Sequence, residues 1–235
     1  SAEDVLSNYK IEEVIKAVEQ SYKIVNESKL IVPQRIFSQT KEGGDYLYGA
    51  ATNLKSENYI VLSSSFMPWY IGTTTPNVRG YYMYQSFRTG DLLAVIDGVD
   101  LVKLRTGAKS AVAVKYLAKE NSKTLGLIGL GQQMKTQVEA ISKVRSINKV
   151  IAWTRSPEKH GDTIKYIKEK TGLDVQLANK EAVMQNSDIV VVSTLSKETL
   201  VSFVNAKKGQ LVISTAHSIE VSKDFVISAE TYVDY

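Results

Sequence analysis

Apolar residues at Ile11, Val14, Ile15, Val18, Tyr22 and Val25 recur at three- and four-residue intervals along "YKIEEVIKAVEQSYKIV". That spacing puts them on one face of a helix. Beyond it the rhythm shortens. Across residues 30–97, "LIVPQRIF", "DYLYGAAT", "NYIVLSSSF", "GYYMYQSF" and "LLAVIDG" are short β-rich runs bounded by Gly, Pro, Asn and Asp signals. They predict a mostly antiparallel sheet. The tyrosines of "YYMYQSF" fit a strand packed in a core or subunit interface better than a cofactor platform.

From residue 107 the pattern changes again. "GAKSAVAVKYLAKE" reads as a small-residue helix, and strands then alternate with helices. The strands are expected at 124–129, 149–154, 174–178, 188–194, 210–215 and 231–234. Alternation of this kind predicts a parallel sheet covered by helices. The runs "VIAW", "IVVV" and "LVI" are continuously apolar, as strands buried on both faces require. Two domains are therefore expected, residues 1–106 and 107–235. There is no internal repeat and no low-complexity linker.

Composition narrows the chemistry by exclusion. A net charge of +4, from 29 basic and 25 acidic residues, is too small and dispersed to point to nucleic acid. Cysteine is absent, so disulfides, thiolate catalysis and cysteine metal sites are excluded. His160 and His217 stand far apart without carboxylate spacing around them, so no metal site is expected. No apolar run reaches transmembrane length and no signal-peptide pattern opens the chain. The expectation is a cytoplasmic protein that binds neither membrane nor nucleic acid.

The segment "TLGLIGLGQQMKTQVEAI" carries the chemistry. Gly129 and Gly131 fall between a predicted strand and a helix whose buried face is Met134, Val138, Ile141 and Val144. In this context the first glycine permits a tight turn and the second lets a pyrophosphate approach the backbone. The helix N-terminus then offers N–H groups and positive potential to the phosphates. The third position of the fingerprint is Met134 instead of a small residue, which bears on close helix packing. A glycine turn that binds nothing is the alternative.

An acidic residue ending the second strand would hydrogen-bond the adenosine ribose of NAD. Here the strand in "VIAWTRSPEK" ends in Thr154, Arg155 and Ser156. Two hydroxyls and a guanidinium suit a 2′-phosphate, because a guanidinium grips it through paired charge-assisted bonds. NADP(H) is favoured and NAD(H) is possible. Arg155 as a solvated loop cation is the competing reading.

These motifs resemble the ornithine cyclodeaminase/mu-crystallin family, which includes archaeal-type alanine dehydrogenases and ketimine reductases. The resemblance runs through "VPQR", "TGDLLAVIDGVDLVKLRTGAKSAVAVKYLA", "GLIGLGQQ", "DIVVVSTLSKETL" and "KKGQLVIS". It implies an α/β protein: a Rossmann-type doubly wound parallel sheet preceded by an α+β domain that binds substrate and builds a homodimer. It further implies that Arg35 and Arg105 hold the carboxylate of a small amino or imino acid. Gln132 and Gln133 match positions at the phosphate turn, and Thr194 and Leu195 match a stretch beside the nicotinamide.

Two departures affect catalysis. Where the family carries a substrate-contacting lysine this chain has Ile60, with Lys55 the nearest lysine. Where it carries a catalytic aspartate, the shortened "VISTAHSIEVSKDF" has none at the matching place, and Asp224 lies beyond that place. The catalytic residues are thus unknown, with His217, Lys55 or a tyrosine as substitutes. The chain ends at "TYVDY", which matches a sixth strand, whereas the family continues into further helices. The expected function is an NAD(P)-dependent amino-acid dehydrogenase, ketimine reductase or cyclodeaminase. The alternative is a catalytically silent NADP(H)-binding protein, a role that mu-crystallin makes conceivable within the family.

Overall fold

The computed structural model describes residues 2–27, 29–71, 73, 75–215 and 218–234. His217 lies outside the described residues. The chain divides into two compact units, residues 1–105 and 106–235.

The first unit opens with α1 (Ala2–Asn8) and α2 (Ile11–Asn26). The apolar stripe of α2 works as its spacing suggests, with Ile11 and Ile15 buried. Six strands follow: β1 (Leu30–Ile31), β2 (Ile36–Gln39), β3 (Asp45–Asn53), β4 (Asn58–Phe66), β5 (Val78–Ser86) and β6 (Leu92–Asp97). They form one sheet in the order β1-β3-β4-β5-β6, with β2 also on β3. Every pairing is antiparallel. Side chains alternate between its faces. In β5, Gly80 and Tyr82 are buried while Tyr81 and Met83 are exposed.

Helix α3 (Gly98–Leu117) begins at Gly98, not at residue 107 as the small-residue run suggested. The Asp97 carboxylate accepts the Val99 N–H at 3.0 Å and caps the first turn. Leu104 then buries the early part of the helix, only 1% exposed.

The second unit holds β7 (Thr124–Ile128), α4 (Gln132–Val144), β8 (Lys149–Trp153), α5 (Gly161–Thr171) and β9 (Val175–Leu177). It continues with α6 (Lys180–Asn186), β10 (Ile189–Val192), β11 (Leu211–Ser214) and α7 (Lys223–Ser228). Its sheet is parallel throughout, in the order β11-β10-β7-β8-β9. Strand order reverses at β7, so the crevice between the carboxyl ends of β7 and β10 is the topological switch point. This is a Rossmann-type doubly wound sheet.

The central strands are buried on both faces, Ile189 through Val192 all at 0% exposure. Leu125, Leu127, Val150 and Val191 pack with Met134, Val138, Ile141 and Ile167 from α4 and α5. Ile128, Ile151, Val190 and Val192 pack with Val183 and Met184 of α6. Two cores, one on each face, hold the strand ends in place.

The sixth strand expected at 231–234 does not form. That segment lies in no sheet, Tyr232 and Val233 are exposed, and the carboxylate of Asp234 is held by the Lys109 ammonium. Its apolar residues find no buried face, which is what a sixth strand would need. Among the described residues no helix is long and apolar enough to cross a membrane.

Candidate functional site

The residues of interest fall into two groups, one in each unit. In the second unit they gather at the carboxyl ends of β7, β8 and β10. Gly129 follows β7 with φ +98°, a conformation that a side chain resists. A Cβ there would stand 2.4 Å from Ser193 O and 2.9 Å from Thr194 Cγ2. Only glycine fits. The Gly129 N–H donates to Trp153 O at 2.8 Å, which ties the turn to the end of β8.

Gly131 is the N-cap of α4 and has no side-chain cap. A Cβ built on it meets nothing within 4 Å. The first-turn N–H groups of a helix lack intrahelical partners, and the macrodipole adds positive potential. Backbone, dipole and open approach together fit a phosphate. Met134, at the fingerprint's third position, is wholly buried in the core. Close helix approach is provided elsewhere, at Gly107, where a Cβ would stand 2.5 Å from Thr136 O.

Gln132 is already engaged. Its Nε2 donates to Asp162 Oδ2 at 2.8 Å, and Lys135 Nζ reaches the same oxygen at 2.9 Å. These bonds hold the Asp162 carboxyl down at about 2, the Gln132 hydrogen bond being the larger cause. Below them the Tyr166 hydroxyl donates to Glu139 Oε2 at 2.6 Å. Gln132, Lys135 and Glu139 on α4 thus face Asp162 and Tyr166 on α5. The spacing of each set is helical, so the sequence itself carries the signal of this polar seam. Gln133 is half-buried, with its Nε2 donating to Thr136 Oγ1 at 3.3 Å.

Beyond β8, Thr154 and Ser156 are half-buried and Arg155 is exposed. Among the described residues Arg155 makes no ion pair. Beyond β10, Thr194 is half-buried and Leu195 is 59% exposed. The Thr194 hydroxyl donates to the carboxylate of Glu220, which is fully buried. Glu220 follows no periodic pattern, and nothing in the sequence marked it.

In the first unit Arg35 precedes β2 and its stem lies over Gly49, where an added Cβ would stand 3.4 Å from Arg35 Cγ. Gly49 pairs with Leu62 and Leu62 with Tyr82, so all three present the same face. On that row Arg105 Nε donates to the Tyr82 hydroxyl at 3.4 Å. The anchor points Gly49 and Tyr82 are two strand spacings apart, roughly 10 Å. Two arginines distant in sequence therefore share one face of one sheet.

The next row along that face is Ala51, Ile60, Tyr84 and Ala94. Ile60 thus neighbours the arginine row with an apolar side chain. Lys55 belongs to the turn between β3 and β4, its N–H bonded to Asn53 Oδ1 at 3.0 Å. It does not join the arginines. Asp224 is exposed in the first turn of α7.

The model of the ornithine cyclodeaminase/mu-crystallin family matches residues 1–232. A Delta(1)-pyrroline-2-carboxylate reductase of Bacillus thuringiensis is 35% identical over 164 residues, 65% of this chain and 50% of that enzyme. The chain thus spans about half that relative's length. Among solved structures, Thermococcus litoralis Delta(1)-pyrroline-2-carboxylate reductase, in complex with NADH and L-proline, superposes with a TM-score of 0.88 at 28% identity. The match covers 93% of this chain and 69% of that one. An archaeal alanine dehydrogenase dimer with bound NAD gives 0.82 at 27% identity, covering 89% and 64%.

Proposed function

The chain belongs to the ornithine cyclodeaminase/mu-crystallin family, and on that premise we propose that it is an NADP(H)-binding oxidoreductase acting on a small amino or imino acid. The observation that carries this reading is the glycine turn at the switch point. Gly129 is forced by contact with Ser193, and Gly131 leaves its backbone open at the start of α4. The relatives named above support a nicotinamide cofactor and a small carboxylate substrate.

In this reading residues 106–235 form the dinucleotide domain. Gly129, Gly131 and the backbone N–H groups of Gln132 and Gln133 hold the pyrophosphate. The side-chain amide of Gln132 stays with Asp162 and fixes the turn. Thr154, Arg155 and Ser156 take the 2′-phosphate, supported by the exposed, unpaired guanidinium of Arg155. Thr194 and Leu195 line the nicotinamide half. The bound dinucleotide supplies or accepts the hydride.

The first unit, residues 1–105, binds substrate and pairs the subunits. Arg35 and Arg105 grip the carboxylate, which is the function a pair of guanidinium groups on one sheet face serves well. Their hold orients the substrate but moves no proton. A second reading, a silent dinucleotide-binding protein, is favoured by one observation: Ile60 places an alkyl group where the resemblance expects a substrate-contacting lysine.

Titration of the purified chain with NADPH and NADH, followed by nucleotide fluorescence, tests the cofactor assignment. NADPH should bind more tightly. Arg155→Ala should weaken NADPH selectively, by about 1–3 kcal/mol for a charge-assisted contact. Equal affinities that the substitution leaves unchanged would overturn the assignment.

A further inference from the structure

Glu220 is a carboxylate at 0% exposure in the short turn Ser218–Glu220, outside every residue set assigned above. Burying a carboxylate is costly unless hydrogen bonds compensate. The turn itself is fixed by the Glu220 backbone oxygen, which accepts the N–H groups of Leu200 at 2.9 Å and Val201 at 3.0 Å. Its carboxylate accepts the hydroxyl of Thr194. Thr194 Oγ1 in turn accepts the Ser196 N–H at 2.9 Å. The Ser193 N–H donates to Ile128 O at 3.0 Å, which fixes the other end of the segment to β7.

Thr194 is used on both sides. Its hydroxyl is turned into Glu220, and its methyl lies against the Gly129 turn, 2.9 Å from the position a Cβ would take. One threonine therefore joins a buried carboxylate to the glycine that makes the nucleotide turn. In a doubly wound sheet the half built on β7, β8 and β9 takes the adenosine, and the half beyond the switch point takes the other nucleotide. Thr194 stands on that second half, directly after β10.

We propose that Glu220 is a positioning residue that, through Thr194, sets the wall of the site on the nicotinamide side. This rests on the dinucleotide reading above. The carboxylate touches no ligand itself. It holds the Thr194 hydroxyl, and so fixes the height of residues 193–196 over the glycine turn. Loss of the bond frees that segment and loosens the nicotinamide half, while the adenosine half, on β8, stays as it was. A role confined to stability would instead affect both halves together.

The test compares two ligands, NADPH and adenosine 2′,5′-bisphosphate, on the full chain. For Glu220→Ala, NADPH binding should weaken about tenfold or more while the bisphosphate stays within about twofold. Glu220→Gln, whose amide oxygen still accepts the hydroxyl, should recover most of the loss. Thr194→Val keeps the methyl and removes the donor, so it should behave like Glu220→Ala and serves if that variant does not fold. Equal weakening of both ligands, or none in Thr194→Val, overturns the proposal while the dinucleotide reading stands. A wild-type chain that binds neither ligand removes the reading, and the proposal with it.

Discussion

Gly107 of α3 meets the backbone of Thr136 in α4 so closely that a Cβ on it would stand 2.5 Å from the Thr136 oxygen and 2.7 Å from its carbonyl carbon. Contacts that short do not occur, and the opposing atoms are main chain, so α3 or α4 would have to move. The neighbours Ala108 and Ala111 are at 0% exposure, which leaves no slack. Gly107→Ala should therefore destabilise the protein by about 1–3 kcal/mol, the usual cost of overpacking. Urea unfolding of the two proteins measures it. An unchanged midpoint would contradict the close approach.

That contact also marks what the sequence disclosed and what it did not. The turn at Gly129 and Gly131 was legible because strand, glycines and amphipathic helix follow one another. Met134 raised a doubt about close packing, since the fingerprint expects a small residue there. The small residue instead lies upstream, at Gly107, which no local pattern connects with α4. Tertiary contact placed it. Glu220 was invisible for the same reason, because its partner Thr194 lies on a separate loop. The sheet of the first unit was readable from its β-rich runs, but the row shared by Arg35 and Arg105 depends on strand register. The sixth strand was expected from a short apolar run, and it failed because such a run still needs a buried face.

Arg145 closes α3 from outside. Its Nη2 donates to the carbonyls of Val114 at 2.8 Å, Lys115 at 3.2 Å and Ala118 at 3.4 Å. The Val114 carbonyl also accepts the Ala118 N–H at 3.2 Å, and a cation suits the negative end of the dipole. Arg145→Ala should cost about 1.5–3 kcal/mol, the range for hydrogen bonds to a charged group. Arg145→Lys should recover part, because an ammonium keeps the charge and loses the fork. Thermal unfolding that ranks lysine with alanine would mean that charge at this helix end contributes nothing.

The Asp162 carboxyl, held at about 2 by Gln132 and Lys135, gives a pH signature. A carboxyl lowered on folding stabilises the protein above its unfolded value, near 4, and that contribution is lost as pH falls from about 4 towards 2. The side chain is 54% exposed, so solvent screening keeps the effect below about 1 kcal/mol. Asp162→Asn should be slightly less stable than wild type at pH 7, with the gap narrowing towards pH 2. A gap of the same size at both pH values would show that the ionised carboxylate is not its source.

On the open face of the first unit's sheet, Tyr48 at 45%, Tyr81 at 48%, Met83 at 37% and Val95 at 58% are exposed. Register places Tyr48 and Tyr81 on a row through Ser63, and Met83 beside Val95 on the next. A contiguous apolar surface of this kind marks an interaction site. Pairing of two copies about a two-fold axis is the commonest way to cover one. The chain should run as a homodimer in light scattering at micromolar concentration, and Val95→Lys should shift it to monomer. A monomeric wild type that stays soluble would refute this use of the face.

Substrate binding and turnover should separate in this chain. Arg35 and Arg105 share one sheet face, so a small carboxylate can be held between two guanidinium groups. Such pairing acts in the ground state and does little by itself for the barrier. The row beside it offers Ile60, which can neither accept a proton nor stabilise developing charge. General-base and electrostatic contributions are commonly worth about 10²–10⁴ in rate each. If no other group moves the proton, as the silent reading has it, cyclic imino acids, alanine or ornithine should bind weakly and turn over very slowly. The assay is NADPH oxidation with a cyclic ketimine and with pyruvate plus ammonia, together with ammonia release from ornithine. Arg35→Ala and Arg105→Ala should weaken binding further. A turnover near that of ordinary enzymes, roughly 10 per second, would mean that another group performs the proton transfer. Lys55→Ala and His217→Ala would then locate it: loss of activity in either identifies the base, and retention in both directs attention to Tyr82 and Tyr84, whose positions share that face.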